Sequence, residues 1–325
     1  MGKYLLRRLA INVVLVAIAA SLAYMLAATT MNPRAAYEAR QPPIAESVID
    51  STLDGYNLND KVPVLVRYGT WAKGVITGDF GKTWNGGSVN DEMGRRIMVS
   101  LRLLLIGTLV GFAVGVAFGA ISAVKQYKFS DRLIGVSSFV IMAIPVFVLA
   151  TVLAIGTYSL NDGLGFTLIE YTGEYNPKLA GWDQFLNRLN HLILPTISLS
   201  LGSIAFYSRI QRNMMLDVLG QDFVRTAMAK GLRRRTALIK HALRTSLIPS
   251  ATYFAFAFGT LFTGATFTEK IFNWHGMGAW LVDSINQNDV NSVAAVTFFA
   301  AVCVLFAGFL SDVLVAALDP RVRVS

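Results

Sequence analysis

Chemistry in this chain has few places to sit. His191, His241 and His275 are scattered, with no His-Glu-x-x-His or Cys/His spacing that could hold a metal. The one cysteine, Cys303, lies in an apolar run and reads as a small hydrophobe rather than a nucleophile. No Gly-x-x-x-x-Gly-Lys-Ser/Thr loop is present to cradle a nucleotide phosphate. Spacing shows no nucleophile elbow and no paired catalytic carboxylates. No catalytic residue and no metal ligand is therefore assigned. What remains is a basic stretch from Arg209 to Arg244, whose residue types suit non-covalent docking.

Within that stretch, Asp222 is placed to cap a short helix, and its charge suits the positive helix start. Phe223, Val224, Ala227 and Met228 supply two apolar i, i+4 pairs on one face, flanked by Arg225 and Lys230. Gly231 fits the left-handed stop after a helix. A second short helix is expected from Thr236 to Leu247, ahead of Ile248-Pro249. Such a knob can be held by another protein, or it can rest on anionic lipid.

The elements that carry this loop are apolar. Hydrophobic residues make up 54% of the 325 and charged residues 15%, against roughly 25% charged in a soluble domain. Uncharged runs span 9–33, 103–124, 133–161, 189–208, 245–268 and 290–311, the shortest 20 residues long. A bilayer core of ~30 Å needs about 20 apolar residues in a helix. The expectation is an all-α polytopic membrane protein of six transmembrane helices.

Charge placement orients it. Segments facing one side (1–8, 125–132, 209–244 and the C-terminal end) carry 17 Lys+Arg and 5 acids. Those facing the other (34–96, 162–188, 269–289) carry 11 Lys+Arg and 15 acids. Positive residues stay cytoplasmic during insertion, so both termini are expected inside (N-in/C-in). The net charge of +9 is then a topology signal with some attraction for anionic lipid, not a nucleic-acid footprint. Lys3, Arg7 and Arg8 before a 25-residue run without a cleavage site read as an uncleaved first helix.

Four parts follow: 1–33 with the first span; 34–98 outside; a core 99–318 that includes the cytoplasmic loop 209–246; and a tail 319–325. In the outside segment Leu65, Tyr68, Ala72, Val75 and Ile76 fall at helical spacing, with Asp60 able to cap and Gly78 to stop the helix. The second span carries Gly107, Gly111, Gly115 and Gly119, a glycine every fourth residue, which lets another backbone approach closely. Gly259 and Thr263 offer a weaker version of that surface. Pro145 and Pro195 are expected inside the third and fourth spans.

The run Asp222-Phe223-Val224-Arg225-Thr226-Ala227-Met228-Ala229-Lys230-Gly231-Leu232 resembles the cytoplasmic coupling (EAA) loop of binding-protein-dependent ABC importer permeases, most closely the B-type permeases of oligopeptide and dipeptide importers. The family's Glu-Ala-Ala and following Gly fall on Arg225, Thr226, Ala227 and Gly231. The missing glutamate departs from the general motif and suits the peptide branch. Further matches are Tyr4-Leu5-Leu6-Arg7-Arg8-Leu9, Gly78-Asp79-Phe80-Gly81-Lys82-Thr83, Thr268-Glu269-Lys270-Ile271-Phe272 with Gly276-Met277-Gly278, and Leu318-Asp319-Pro320-Arg321-Val322-Arg323. His275 stands where the family usually has proline. The resemblance implies a type I ABC importer permease fold in a bacterial inner (plasma) membrane. Its implied partners are a second related permease, two ATPase subunits or one fused ATPase, and an extracytoplasmic peptide-binding protein. ATP and Mg would be bound by those ATPases, leaving this chain with no cofactor. Helix 222–231 would dock in an ATPase cleft.

Ion-coupled secondary transport usually sets charges near the membrane centre, whereas all six runs are uncharged; a scaffold would need only the docking loop. Thr260, Gly264 and Phe267 are candidates for lining a peptide pathway, since small and hydroxyl residues leave room there. The orientation is checked by cysteine labelling of intact cells in a Cys303→Ser background. Asn57→Cys is expected to react and Arg233→Cys to be spared; the reverse pattern would invert the topology.

Overall fold

The computed structural model describes residues 2–38 and 41–318. The side chains of 2–5, 251–252, 255–264 and 310–318 lie outside that description, as do residues 319–325. The expected start at Tyr4-Leu5, the tail motif from Asp319 and the Gly259/Thr263 surface therefore fall outside it in whole or in part. Among the described residues the structure is helical, with a single isolated bridge between Lys82 and Ser88. Five helices are long and apolar enough to cross a membrane, within Leu6–Glu38, Val89–Val124, Val146–Leu164, Gly181–Leu219 and Val290–Phe309.

The chain divides into two units, Met1–Leu101 with His275–Phe306, and Arg102–Trp274 with Ala307–Ser325. In the first, helix α1 (Gly2–Thr30) is followed by α2 (Ala35–Glu38), α3 (Glu46–Gly55) and α4 (Val64–Thr77). Helix α4 is the amphipathic helix foreseen outside the membrane, and Gly78 ends it with φ +85°. Its start differs. Pro63 holds the cap position, and Asp60 instead accepts from Arg34 Nε at 2.9 Å. Its buried stripe is also rotated. Tyr68, Ala72 and Val75 face the core, but Leu65 and Ile76 are 73% and 87% exposed. The reason is aromatic: Trp71 stacks on Tyr24 of α1 at 4.7 Å and Tyr68 shares a hydrogen bond with Ser21. Burying Trp71 removes more apolar area than burying Leu65.

Helix α3 was not anticipated. Its Ile49 and Leu53, one i, i+4 pair, are buried in the same core. Arg34, itself buried, ties these short helices together by reaching Asp50, Asp60 and Asn59. Lys61 and then Arg34 hold the Asp50 carboxyl below its ordinary pKa. Buried Arg67 donates to the Ala28 carbonyl at 3.3 Å, at the negative end of α1.

The Gly78-to-Trp84 turn is bound to the start of α13 (Val290–Leu318). Asn291 Nδ2 donates to the Lys82 and Tyr56 carbonyls at 2.9 and 3.0 Å. Asp289, at the head of α13, accepts from the Trp84 amide and from Ser292. Burial raises the Asp289 pKa against those donors. Gly276 precedes α12 (Met277–Asn286), whose Met277 amide donates to Ser100 Oγ at 2.7 Å. His275 is exposed and Gly276 and Gly278 are buried.

The second unit contains the greater part of α5 (Val89–Val124), then α6 (Phe129–Ala143), α7 (Val146–Leu164) and α8 (Gly181–Leu219). The glycine face of α5 lies on α8. A β-carbon on Gly107 would stand 2.8 Å from Leu199 Cδ2, on Gly111 2.6 Å from Ser203 Cβ, and on Gly115 2.7 Å from Tyr207 Cβ. On Gly119 it would stand 2.5 Å from the Ser208 carbonyl oxygen. Both helices advance four residues per contact in the same direction, so they run parallel. The chain between them must therefore return once across their length, and α6 and α7 together make that return.

The third apolar run was expected to be one helix containing Pro145. It is two. Ile144 is extended (φ −95°, ψ 126°) and Pro145 heads α7, because a proline ring crowds a helical residue before it. Pro195, in contrast, stays inside α8. Pro249 is likewise internal to α11 (Arg244–Ile271), so the short helix expected to stop at Leu247 continues, through a π-helical stretch at Leu238–Leu243. Gln211 of α8 explains this. It donates to Ser246 Oγ and accepts from Ser250 Oγ, both at 2.7 Å, and so clamps α11 on either side of the proline. Near the far end of α11, Glu269 and Phe272 are fully buried, and the Phe272 carbonyl accepts from the Gly173 amide at 2.8 Å.

Gly163, which the run boundaries placed in a loop, lies in the last turn of α7 with nothing within 4 Å of its missing β-carbon. Gly111→Leu or Gly115→Leu is expected to reduce the yield of assembled complex at least tenfold, because overpacking against backbone costs about 3 kcal/mol or more. Gly163→Leu should leave it unchanged. Size-exclusion yields of the three variants decide the matter, and equal recovery would remove the packing role.

Candidate functional site

The loop after α8 folds as α9 (Asp222–Ala229) and α10 (Arg234–Ala237), joined by Lys230 to Arg233. Asp222 is the first helical residue rather than the cap; Gln221 holds that position and makes no side-chain cap bond. The Asp222 carboxylate still lies in the first turn, where the helix dipole favours it. At the other end Gly231 has φ +90°. The Leu232 amide donates to the Ala227 carbonyl at 3.3 Å and the Gly231 amide to Met228 at 3.0 Å. That pair of bonds is a Schellman stop, which needs the left-handed residue that glycine supplies.

The apolar stripe divides between two tasks. Val224 and Ala227 are 1% and 8% exposed, and Val224 forms a small core with Ala123 of α5, Met215 of α8 and Ala242. Phe223 and Met228 are 43% and 38% exposed, and Arg225, Thr226 and Lys230 are exposed beside them. The four residues expected on one docking face thus lie on two. Spacing alone allowed it: 223 and 228 are five apart, which places them on either side of the 224/227 line. The inner pair seats the helix on its own chain, and the outer residues stay free.

Beneath this seat lies an ion pair that motif reading passed over. Asp131, 7% exposed, accepts from Arg212 Nε at 2.7 Å and Nη2 at 3.0 Å, from the Tyr127 amide at 2.8 Å and from Ser122 Oγ. It thereby joins the ends of α5, α6 and α8. The Arg212 guanidinium, helped by Ser122 and the Tyr127 amide against the cost of burial, holds the Asp131 carboxyl well below the usual carboxylate range. The only advance signal was that Asp131 is the one acid in the basic segment 125–132. Of the suggested pathway residues, the side chains of Thr260 and Gly264 lie outside the described residues. Phe267 is 49% exposed and faces the ring of Phe147 at 5.9 Å.

A short loop helix seated on parallel apolar helices, with five helices long and apolar enough to cross a membrane among the described residues, defines a polytopic helical membrane protein. Comparison with known proteins gives the family. Residues 115–324 match the model of the binding-protein-dependent transport system inner membrane component, and the chain belongs to that family. It is 50% identical over 327 residues to the oligopeptide transport system permease protein OppB of Mycobacterium tuberculosis, covering 100% of both chains. It is 34% identical over 284 residues to the oligopeptide permease AppB of Bacillus subtilis, covering 87% of each. With the dipeptide permease DppB of Bacillus subtilis it shares 34% over 270 residues, 82% of each. A solved structure of the MetNI methionine ABC transporter superposes with a TM-score of 0.54 at 14% identity, covering 70% of this chain and 96% of that one. The fold is that of a type I ABC importer permease in the inner membrane. In this family ATP hydrolysis lies in other subunits, and the permease works with a partner permease, an ATPase and a solute-binding protein.

The seat makes a prediction of its own. Ala227→Asp puts a charge on the buried side of α9 and should unseat the helix, so that trypsin cleaves faster at Arg233 to Arg235. Phe223→Asp, on the free side, should cleave at the wild-type rate. Equal rates for both variants would show that Ala227 does not hold the loop.

Proposed function

We propose that this chain is one of two related permease halves of an ATP-driven importer of oligopeptides or dipeptides. The 50% identity to an oligopeptide permease along the whole chain carries this reading. The layout is six spans, N-in and C-in. They are α1, α5, the broken pair α6–α7, α8, α11 and α13, with 34–98 outside and 209–246 in the cytoplasm. The parallel course of α5 and α8 supports counting α6 and α7 as one crossing. ATP and Mg2+ are bound by two separate ATPases or one fused pair, and this chain carries no cofactor of its own. A peptide-binding protein delivers solute from outside.

In this reading Asp222, Phe223, Arg225, Thr226, Ala227, Met228, Lys230 and Gly231 couple the permease to an ATPase, with unequal roles. Phe223 and Met228 enter the ATPase cleft with Arg225 and Lys230 at its rim. Val224 and Ala227 pass the displacement to α5 and α8. Gly231 sets the angle at which the loop leaves the helix. Closure of the ATPases on ATP then moves the two loop helices together, and the permease halves switch between inward-open and outward-open states as rigid bodies. Glu269, Phe272, Gly276 and Gly278 shape the outside turn, and Thr260, Gly264 and Phe267 line the pathway.

Uptake of labelled di- to hexapeptides by cells with and without the gene tests the solute class. Loss of uptake on deletion is expected, and full uptake without the gene would refute it. Phe223→Asp is expected to cut uptake and peptide-stimulated ATP hydrolysis at least tenfold, since a charge buried unpaired in a docking cleft costs several kcal/mol, on the order of 3–5. Wild-type transport by that variant would remove Phe223 from the coupling face.

A further inference from the structure

Leu65 and Ile76 are the most exposed apolar side chains of α4, although that helix has a buried stripe of its own. With Gly69 they share one line, at i, i+4 and i+11, turned away from Arg67 and Trp71. A β-carbon on Gly69 would meet nothing within 4 Å, so no described residue covers this line. Val66, 58% exposed, lies next to it, and Lys73 is the one charged residue of α4 on the exposed side.

Helix α1 measures the depth at which this face stands. Arg8 is the last charge before its apolar run, and a bilayer core of ~30 Å takes about 20 helical residues, which ends the core near Ala28. A side chain marks the same level independently, since the buried Arg67 guanidinium donates to the Ala28 carbonyl. Below that level Ile18, Leu22 and Leu26 are 50%, 66% and 66% exposed, on the side of α1 away from α4. An uninterrupted, exposed aliphatic line on a spanning helix is the face that meets acyl chains. Helix α4 touches α1 along this same stretch. Tyr68 bonds Ser21 at 2.8 Å, Trp71 stacks on Tyr24, and Ala20 belongs to the shared core. Tyr24 and Ser21 precede Ala28 by one and two turns, which sets them about 6 and 10 Å inside the boundary. Helices that lie in the membrane interface sink their apolar face by about 5–10 Å. A bilayer is flat across the width of two helices, so lipid that reaches Leu22 on one side of α1 also reaches α4 on the other.

We infer that acyl chains of the leaflet opposite the start of α1 cover Leu65, Gly69 and Ile76, so that α4 is an interfacial helix anchoring the segment 34–98 to lipid. Lys73 stands beside the covered line, where its stem can follow the helix and carry the ammonium to the phosphates. The anchor holds more than α4. Its core also takes in Ile49 and Leu53 of α3 and Val290 and Ala294 of α13, so lipid contact sets the height of the short helices and of the α13 head together. The inference rests on α1 as a spanning helix and holds whichever solute the chain carries.

The test uses the whole complex in nanodiscs, in a Cys303→Ser background. Leu65→Cys, Ile76→Cys and, as the aqueous reference, Asn57→Cys each carry a nitrobenzoxadiazole label. Phosphatidylcholine with a nitroxide high on its acyl chain, present in both leaflets, is the quencher. Quenching at 65 and 76 is expected to exceed that at 57 about threefold, the contrast between an acyl and an aqueous position. In intact cells a membrane-impermeant maleimide should modify Asn57→Cys about tenfold faster than either α4 variant. Both α4 substitutions replace exposed side chains and should leave the complex assembled. Equal quenching at the three positions would overturn the inference and leave the face in water. Slow modification without quenching would also overturn it, and would assign the face to another subunit. Nitroxide in both leaflets keeps the quenching decisive even if the chain is inserted the other way round.

Discussion

The close approach of α5 to α8 governs the second unit. At four glycine positions over about three turns there is no room for a side chain on α5, since an added β-carbon would come within 2.8 Å of an α8 atom. Membrane helices gain little from hydrophobic exclusion, because lipid is as apolar as leucine; contact area and close backbone approach hold them together instead. A glycine face supplies that approach only if the partner offers a matching ridge. Leu199, Ser203, Tyr207 and Gln211 form it, one residue per glycine in the same order. This match sets a parallel register, and the register decides how the chain between them must run.

The same register brings the ends of α5 and α8 side by side, where the loop helix needs a floor. Ala123 from one and Met215 from the other form it, while Ser122 and Arg212, each one turn or less away, meet on Asp131. Desolvating that pair costs energy, so its value lies in geometry: two guanidinium bonds fix α6 against α8 in one arrangement. On the proposed coupling role, a push on α9 would be delivered to helix ends that this ion pair holds in one register.

Some of this was legible in the residues. The glycine period and the Gly231 stop each depend on local chemistry, and each lies where spacing placed it, whereas the third apolar run is broken at Pro145. The misplacements share a cause, because in each a distant side chain outweighed a local preference. Asp60 left the cap of α4 because Arg34 binds it more strongly than a backbone amide does. Leu65 and Ile76 turned outward because Trp71 stacks on Tyr24. Pro249 failed to end a helix because Gln211 bonds on both sides of it. Pro145 did break its helix, where neighbouring polar groups offer no such clamp among the described contacts. The Asp131–Arg212 pair spans 81 positions and carries no periodic signal.

The division of the loop helix into a seated and a free side bears on how such a subunit can be driven. A helix of eight residues is too short to be stable alone. Had all four apolar residues faced a partner protein, the helix would exist only while docked, and each encounter would include refolding it. Seating Val224 in the core with Ala123 and Met215, with Ala227 buried on the same side, keeps it formed between encounters. The free residues can then vary with the ATPase they meet, provided Gly231 keeps the exit angle, since its left-handed φ of +90° admits almost no other side chain without strain. On the proposed coupling role, force would enter through Phe223 and Met228, and the floor beneath would convert it into movement of whole helices.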